Sequence, residues 1–443
     1  MEKIFLISLG CPKNQVDSEV LLGLLARDGL MCTSSVEEAD IVIVNTCAFI
    51  QEAVQESIEV ILELAQAKER GAISKLIVTG CLPQRYGKGV VREIPEVDLW
   101  TGTGEFPRIP QMLREDQTNV LIGKPRYLYD HHTPRIITNS PHSAYVKIAE
   151  GCSHPCTFCV IPQLRGRYRS RELDSVRREV EQLAAGGVVE INLVAQDSTA
   201  YGMDEGDEKL LYHLLKALTK IEGVKWIRVF YTYPHPANFP PHLLELIAGD
   251  ERMCPYIDMP VQHIDDTILQ RMGRRTSGKE IKELIDHIKR DYPAIHLRTT
   301  LMVGFPGEGE EEFMDLVNFV QEAEFTHLGV FTYSPEEGTK ASRMKGRVSS
   351  DIAEERRARI MELQQGISWK RNKDMIGSTI PVLIDGVSAD PEGRLQGRTA
   401  FQAPEIDGVV SITNGAADIG DTVRVKITQA EPYDLVGEIA ERP

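Results

Sequence analysis

Two stretches of this chain alternate short apolar runs with longer amphipathic segments, and this alternation restricts its fold more than any other feature. In the first stretch, apolar runs at 3–9, 41–46 and 75–80 are separated by amphipathic segments at 15–28 and 50–70. Short runs rich in Val and Ile are typical of buried strands, and segments with helical period are typical of helices. Strands that alternate with helices form parallel sheets. We therefore predict an N-terminal α/β domain with a parallel sheet.

The second stretch begins near Ala144 and repeats the same order six times. Its apolar runs are AYVKIAE, EINLVAQ, WIRVFYTYP, YIDMPVQ, LRTTLMVGF and HLGVFTYSP. Six strands in α/β order predict a (β/α) barrel or part of one. The charged segment 351–373 predicts a long helix that leads out of this domain. Beyond it, short alternating runs separated by Gly, Pro, Asn and Asp turns predict a small all-β barrel.

The length of 443 residues also requires several domains, because one hydrophobic core stops growing at about 250–300 residues. Segment 124–142 has three prolines and little periodicity, which indicates a linker. The predicted organisation is an N-terminal domain at 1–118, a linker at 119–142, a central domain at 143–370 and a β-barrel at 371–438.

Composition and charge exclude several classes of protein. Hydrophobic residues make up 42% and charged residues 26%, as in globular proteins. No apolar stretch approaches the roughly 18 residues that span a bilayer, and the first residues do not resemble a signal peptide. We expect a cytoplasmic protein without membrane contact, in which eight cysteines point to metal binding or catalysis instead of disulfides. A net charge of −16 argues against a general affinity for nucleic acid.

Three of these cysteines form one local motif. Cys152, Cys156 and Cys159 lie in GCSHPCTFC, directly after the first strand of the second stretch. A 4Fe-4S cluster usually takes four cysteines, so three leave one iron open to a substrate or cofactor. Zinc is the alternative, but zinc motifs normally show paired Cys or Cys/His groups, and here only His154 is added. His154 is better interpreted as a loop residue near solvent.

Three further cysteines are far apart in sequence but follow predicted strands. Cys11, Cys47 and Cys81 each come just after an apolar run of the first stretch. Since the carboxyl ends of parallel strands line one crevice, the three can meet and bind a second cluster with an open iron. The alternative is three buried thiols. Cys32 and Cys254 match neither pattern, and we interpret them as ordinary packed thiols.

The motif Cys-x3-Cys-x2-Cys, in this position, resembles the radical S-adenosylmethionine (SAM) superfamily. The whole chain resembles the methylthiotransferases of that superfamily, through the segments SLGCPKNQVDSE, NTCAFI, TGCLPQRY, GCSHPCTFCVIPQLRGRYRSRE, YIDMPVQH and MVGFPGE. The resemblance implies a radical SAM core, a C-terminal TRAM barrel and two 4Fe-4S clusters. It also implies that one SAM methylates a sulfur held on the N-terminal cluster, while another is cleaved to a 5'-deoxyadenosyl radical at the central one.

Other residues near predicted strand ends are candidate SAM contacts. Gln196 and Asp197 end the strand EINLVAQ, where barrel enzymes present polar groups to ligands, although they could simply end the strand. The GGE-like motif of many radical enzymes is absent there. Gly304 and Gly307 lie in MVGFPGEG, where glycine lets the backbone approach a bound adenosine, and a tight structural turn is the alternative. Gly309 stands where relatives commonly have threonine.

Four arginines alternate just after the cysteine loop. They could face a carboxylate or the sulfide-bearing cluster, and a solvated basic edge is the alternative. These residues are Arg165, Arg167, Arg169 and Arg171.

The acidic C-terminal barrel bears on the substrate. Methylthiotransferases modify either adenosine in transfer RNA or an aspartate of the small-subunit ribosomal protein S-twelve, and the N-terminal segment resembles the second group. Residues 371–443 contain seven Lys and Arg against twelve Asp and Glu, and their aromatic residues are Phe401 and Tyr433. RNA binding would favour basic residues and stacking platforms, so we expect methylthiolation at the β-carbon of an aspartate in a basic ribosomal protein.

We also expect a reductase or flavodoxin-type electron donor and a sulfur donor as partners. Direct RNA binding is not expected. The alternatives are a transfer RNA adenosine methylthiotransferase and an iron-sulfur electron carrier without substrate chemistry.

Overall fold

The computed structural model describes residues 2–115, 120–138, 140–388 and 393–441. Within them the chain forms two six-stranded sheets, a two-stranded ribbon and a closed five-stranded barrel. This confirms the predicted α/β fold with a C-terminal all-β barrel. The predicted boundary between residues 118 and 119 lies outside the described residues, and the other domain bounds stay predictions.

The N-terminal sheet is parallel throughout. Its strands are β1 (Lys3–Ser8), β2 (Met31–Cys32), β3 (Ile41–Thr46), β4 (Lys75–Gly80), β5 (Leu99–Thr101) and β6 (Val120–Leu121). Their order is β2-β1-β3-β4-β5-β6. The long strands β1, β3 and β4 are the three predicted ones. The other three have two or three residues each and were not predicted, and β6 falls inside the predicted linker.

The central sheet contains all six predicted strands of the second stretch. Its region comprises β7 (Ser143–Lys147), β8 (Ala149–Glu150), β9 (Arg169–Ser170), β10 (Glu190–Val194), β11 (Trp226–Val229), β12 (Met253–Asp258), β13 (His296–Val303) and β14 (His327–Thr332). The sheet order is β14-β13-β12-β11-β10-β7, with parallel neighbours, and it does not close. It is therefore part of a barrel. The short strands β8 and β9 pair as an antiparallel ribbon beside the cysteine loop.

Helices connect these strands and cover the sheets. They are α1 (Pro12–Arg27), α2 (Gln51–Glu69), α3 (Cys81–Tyr86), α4 (Lys88–Glu93), α5 (Ile109–Arg114), α6 (Ile161–Arg165), α7 (Leu173–Ala185), α8 (Leu210–Leu218), α9 (Pro241–Gly249), α10 (Asp266–Arg271), α11 (Gly278–Asp291), α12 (Glu310–Ala323) and α13 (Ser350–Asp374). The long exit helix predicted at 351–373 is α13. Among the described residues we find no helix with the length and apolar character needed to cross a membrane.

The C-terminal barrel begins five residues after α13 ends. Its strands are β15 (Thr379–Val387), β16 (Leu395–Arg398), β17 (Val410–Asn414), β18 (Thr422–Ala430) and β19 (Leu435–Glu441). They close in the order β15-β16-β17-β19-β18. Alternate residues such as Val423, Val425 and Ile427 point inward and are buried, which is the period-two pattern seen in the sequence.

One apolar cluster joins all three parts of the chain. It contains Ile4 and Val20 from the N-terminal part, Tyr145 and Phe230 from the central part, and Leu383 from the barrel. Fully burying a side chain of this kind contributes about 1.5–3 kcal/mol. The three parts therefore pack on one another through a shared core.

A buried ion cluster reinforces the contact between the central sheet and the barrel. Arg398 of β16 binds Glu190 of β10 at 2.8 Å and Asp385 of β15 at 2.8 Å. Arg228 lies 3.3 Å from Glu190, and His142 lies 3.0 Å from Asp385. Burial alone would raise the pKa of Glu190, but Arg398 and Arg228 hold this pKa far below its ordinary value.

His296 at this contact predicts a pH dependence of stability. Its ring stacks on Phe401 at 4.3 Å, and burial, together with His327 and Arg371, lowers its pKa to about 3. Below about pH 6.5 the His296 side chain is protonated in the unfolded chain, whereas in the folded chain it stays neutral until the pH approaches 3. Stability from this residue is therefore complete above pH 6.5 and is lost as the pH falls toward 3.

We expect the free energy of unfolding to fall by about 1 kcal/mol more in the wild type than in His296→Gln between pH 7 and 5.5. Urea unfolding at both pH values measures this difference. Equal losses in the two proteins would contradict it.

Candidate functional site

The three N-terminal cysteines lie at the carboxyl ends of adjacent strands. Cys11 is the N-cap of α1 after β1, Cys47 follows β3, and Cys81 begins α3 after β4. Since β1, β3 and β4 are neighbours in the sheet, the three residues share one sheet edge, as the sequence predicts. We call them the N-terminal triad.

Close packing at Gly10 brings two loops of this triad together. Gly10 has a φ of +93°, and a Cβ there would lie 2.6 Å from Cβ and 2.9 Å from Sγ of Cys47. No other residue fits without moving the loops. Burial raises the pKa of the Cys47 thiol to about 12, and negative charge at Cys81 and Cys11 adds to the effect. The three sulfurs are thus within electrostatic reach of one another.

The second set, the central triad, lies in the loop after the β7–β8 region. The backbone N–H of Cys152 donates to Gly166 O at 3.1 Å, and that of Cys159 donates to Cys156 O at 3.3 Å. The N–H of Ile161 donates to Cys159 Sγ at 3.4 Å. Burial, with a smaller effect of the neighbouring thiolates, raises the pKa of Cys159 to about 12 and that of Cys152 to about 11. These sulfurs too repel one another when ionised.

Both donor sets suit a positively charged iron-sulfur cluster. Free thiols with such pKa values stay protonated at neutral pH, and a bound metal group displaces those protons. Among the residues that the structure describes, no three His, Cys, Asp or Glu side chains are grouped for a single metal ion. A mononuclear zinc needs all its sulfurs at about 2.3 Å from one atom, whereas a cluster offers each thiolate a separate iron. Three cysteines in each triad therefore fit a 4Fe-4S cluster that leaves one iron open.

Arg165 links the N-terminal triad to the central domain. It ends α6, shortly after the loop of the central triad, and is 4% exposed. Its Nη2 lies 3.7 Å from Cys81 Sγ and donates to Asn14 Oδ1 at 2.8 Å, while its Nη1 binds Asp17. The alternating arginines could either face the cysteine site or form a solvated basic edge. Arg165 faces the cysteine site.

Lys147 of β7 continues this buried network toward the central triad. Its Nζ binds Asp17 and, at 2.5 Å, Glu150 Oε2. Gln196 Nε2 donates to Glu150 Oε1 at 3.0 Å. Burial alone would raise the pKa of Glu150, but Lys147 and Arg165 lower it to about 2. Glu150 is two residues before Cys152, so a chain of charge-paired side chains runs from Cys81 to the strand that precedes the central triad.

The predicted SAM contacts Gln196 and Asp197 lie at the end of β10 as expected. Gln196 Oε1 is buried and has no hydrogen-bond partner among the described residues. Asp197 accepts bonds from His154 Nε2 at 2.6 Å and Thr199 N at 2.9 Å. The His154 ring also stacks on Tyr233 at 4.1 Å. His154 is therefore a half-buried loop residue whose side chain is 24% exposed, as predicted, and its contacts with Asp197 and Tyr233 also fix the cysteine loop.

Gly304 and Gly307 lie in the turn after β13. A Cβ at Gly304 would lie 2.6 Å from Cβ of Ala353, and one at Gly307 would lie 2.8 Å from Nε of Arg271. The Gly307 N–H donates to Gly346 O at 2.7 Å. Packing against α13 and α10 thus accounts for both glycines as a structural turn, and their contact with SAM stays a prediction.

Two other groups of residues differ in their surroundings. Arg171 is buried against Glu179, whereas Arg167 is exposed, so the alternating arginines form neither one functional row nor one solvated edge.

Cys254 is a packed thiol as predicted, but Cys32 is exposed on the edge strand β2. The interpretation of Cys32 as packed was wrong because this two-residue strand has no neighbour on its outer side.

Lys13, two residues after Cys11, was not identified from the sequence as a candidate site residue. It is 9% exposed, and its Nζ lies 3.3 Å from the centroid of the Tyr231 ring. Burial lowers the pKa of Lys13, while Cys11 and Asp258 act to raise it. Asp17, Lys147 and Glu150 were also missed. A charged residue inside a segment that is predicted to be buried could have indicated these site residues. Lys147 within AYVKIAE is an example.

Three known families match successive parts of the chain. Residues 3–102 match the family described as "Uncharacterized protein family UPF0004". Residues 146–320 match the radical SAM superfamily, and residues 376–440 match the TRAM domain.

Curated relatives match almost the whole chain. The protein called "Ribosomal protein uS12 methylthiotransferase RimO" from Pelobacter propionicus is 48% identical over 100% of this chain and 98% of its own length. A protein of the same name from Geobacter sulfurreducens is 48% identical over 99% of this chain and 98% of its own.

Solved structures support the fold alone. The radical SAM methyltransferase TsrM from Kitasatospora setae, with cobalamin and a [4Fe-4S] cluster bound, has a TM-score of 0.56 at 17% identity, over 77% of each chain. The cobalamin-dependent radical SAM enzyme OxsB has a TM-score of 0.52 at 13% identity, over 83% of this chain and 56% of that one.

Proposed function

The chain belongs to the family of ribosomal protein uS12 methylthiotransferases named RimO, and we propose that its two triads hold the iron-sulfur clusters for that reaction. It is a radical SAM transferase that adds a methylthio group to an aspartate of uS12. The assignment of the two triads as cluster ligands rests on where they lie in the chain and in the fold. The central one lies in the radical SAM region, and the N-terminal one touches that region through Arg165.

Cys152, Cys156 and Cys159 are the proposed ligands of the cluster that binds SAM. When bound, this cluster supplies the electron that cleaves SAM. Gln196 has a free buried acceptor, Oε1, beside this site, which suits a donor group of SAM. Both carboxylate oxygens of Asp197 are engaged with His154 and Thr199, so Asp197 positions the cysteine loop.

The backbone near Gly304 and Gly307 is a further proposed contact for the adenosine of SAM. The turn lies after β13, on the side of the sheet where strand ends meet. The close packing of both glycines holds its backbone in place.

Cys11, Cys47 and Cys81 are the proposed ligands of a second 4Fe-4S cluster, which holds the sulfur that is transferred. Arg165 donates toward the sulfur of Cys81 and is itself fixed by Asp17 and Asn14. A guanidinium in this place stabilises negative charge on the thiolate and orients it. The carboxylate of Asp17 keeps the charge of Arg165 balanced in the buried site.

The features of the C-terminal barrel support a basic protein substrate over transfer RNA. Residues 371–443 carry seven basic and twelve acidic residues. Phe401 is not available for stacking with bases, because its ring lies on His296 and its carbonyl bonds to His327 at 2.7 Å. Tyr433 is 40% exposed, but a single ring offers little to a nucleic acid strand.

We further propose three features of the cellular setting. A reductase or flavodoxin-type protein donates the electron, and a separate donor supplies sulfur, because the reaction consumes both. The enzyme works in the cytoplasm, where its ribosomal substrate is made.

Mass comparison of a strain that lacks this gene tests the substrate. We expect uS12 to lose its methylthio-aspartate, and transfer RNA to keep its methylthio-adenosine. Re-expression of the wild-type gene should restore the modification, while Cys47→Ala should not. A deletion strain with normal methylthio-aspartate, or one that lacks methylthio-adenosine instead, would overturn the assignment.

A further inference from the structure

We propose that Lys13 binds the side-chain carboxylate of the substrate aspartate and thereby selects it for methylthiolation. This inference rests on the proposed function and adds the residue that recognises the substrate. It follows from the charge, burial and position of Lys13, each of which is unusual for a lysine.

The first observation is that the ammonium of Lys13 has no carboxylate partner among the described residues. It makes neither a hydrogen bond nor an ion pair within 4 Å there, and its close contact is the Tyr231 ring at 3.3 Å. A lysine that is only 9% exposed has little contact with water, so a paired anion would stabilise its charge. The ring makes an attractive cation–π contact but supplies no negative charge. A carboxylate ligand would supply the missing partner.

The second observation is that neighbouring buried cations are fully paired. Lys147 binds both Asp17 and Glu150, and Arg165 binds Asp17. The carboxylate of Asp258 is held by Arg298 at 2.9 Å and by the backbone N–H of Tyr231 at 3.0 Å. The carboxylates of Asp258 and Glu150, which act on Lys13 from a distance, are therefore already paired with other cations. Within the described part of the chain, Lys13 has no carboxylate of its own within 4 Å.

The third observation concerns Tyr231, the residue under the ammonium. Its φ is +58°, a left-handed conformation that is strained for a residue of this type. It follows the carboxyl end of β11, in the part of a (β/α) sheet where ligands bind. Strain of this kind persists where it positions a functional group. Here it holds the ring against the Lys13 ammonium.

The position of Lys13 relates binding of the aspartate carboxylate to modification of the adjacent β-carbon. It stands in the first turn of α1, two residues from Cys11 of the N-terminal triad, and contacts a strand end of the central domain. The side-chain carboxyl carbon of aspartate is bonded directly to the β-carbon that is modified. Binding that carboxylate at Lys13 therefore places the reacting carbon between the two domains. An adenine base carries no carboxylate and cannot make this contact.

Binding of uS12 peptides to the reconstituted enzyme with SAM tests this inference. One peptide carries the target aspartate, and a matched peptide carries asparagine. We expect Lys13→Met to weaken binding of the aspartate peptide by roughly tenfold to a hundredfold, as for loss of a hydrogen bond to a charged group. Binding of the asparagine peptide should change less than about twofold. Lys13→Arg should recover part of the affinity, and the exposed Lys279→Met controls for overall charge.

Stability separates this role from a structural one. Removal of an unpaired buried charge should leave the unfolding midpoint of Lys13→Met equal to or above that of the wild type. A lower midpoint with equal weakening for both peptides would overturn the proposal and assign Lys13 to packing. Unchanged binding of the aspartate peptide would also overturn it. Failure of the wild type to modify that peptide would instead refute the proposed function.

Discussion

Replacement of Cys159 by alanine is expected to abolish reductive cleavage of SAM, whereas replacement of Cys47 is expected to preserve it. The central triad lies in the radical SAM region, and under the proposed assignment the loss of one of its sulfurs removes the site where SAM receives its electron. Changes to groups that merely support metal ligands cost about tenfold to a hundredfold, so loss of a ligand should cost at least about a hundredfold. Cys47 belongs to the separate N-terminal sheet.

Anaerobic reconstitution with dithionite and SAM, followed by measurement of 5'-deoxyadenosine, checks this result. Methylthiolation of a uS12 peptide should be lost in both variants. Cys254→Ala is the matched control, since this buried cysteine lies outside both triads. If Cys47→Ala abolished 5'-deoxyadenosine as fully as Cys159→Ala, the division of roles would be wrong. Absence of 5'-deoxyadenosine from the wild type would favour an electron carrier.

Asp17→Asn is expected to destabilise the protein by about 3–5 kcal/mol. Asp17 is 4% exposed and binds both Lys147 and Arg165, so its loss leaves two buried cations short of negative charge. These bonds join α1 to β7 and α6. The N-terminal part should therefore lose its attachment to the central part at an earlier stage of unfolding.

Urea unfolding followed by fluorescence measures this change. Asp28→Asn is the matched control, because Asp28 is the C-cap of the same helix α1 but pairs with the exposed Arg114 at 2.7 Å, a kind of pair that contributes about 0–1 kcal/mol. The double variant Asp17→Asn/Lys147→Met should recover part of the loss, since it removes one unpaired charge. An unfolding midpoint of Asp17→Asn equal to that of Asp28→Asn would refute the role of this network.

The network also extends from the N-terminal triad to the strand that leads into the cysteine loop. Arg165 touches Cys81 on one side, and Glu150 lies two residues from Cys152 on the other. The links between Arg165, Asp17, Lys147 and Glu150 are charged contacts between buried groups, so a change in one of them alters the balance of the others. Arg165 is thus both a support of the N-terminal triad and part of the contact between domains.

Much of this architecture was predictable because its signals are local and periodic. The apolar runs of β1, β3, β4 and the six central strands identify the sheets, and the spacing of Cys152, Cys156 and Cys159 lies within eight residues. The N-terminal triad needed one further rule, that parallel strands end at the same edge. The strands β2, β5 and β6 were missed because two or three residues are too few to show a period.

The sequence by itself determined the fold class, the predicted triads and the acidic character of the barrel, since these follow from a regular repeat, from a local motif or strand ends, and from composition. Only the tertiary structure decided which charges meet. Lys147 and Asp17 are 130 residues apart, and Lys13 reaches Tyr231 across the domain contact. Such pairs leave no periodic trace, because a long-range contact depends on how whole sheets pack. The same packing leaves Lys13 without a carboxylate.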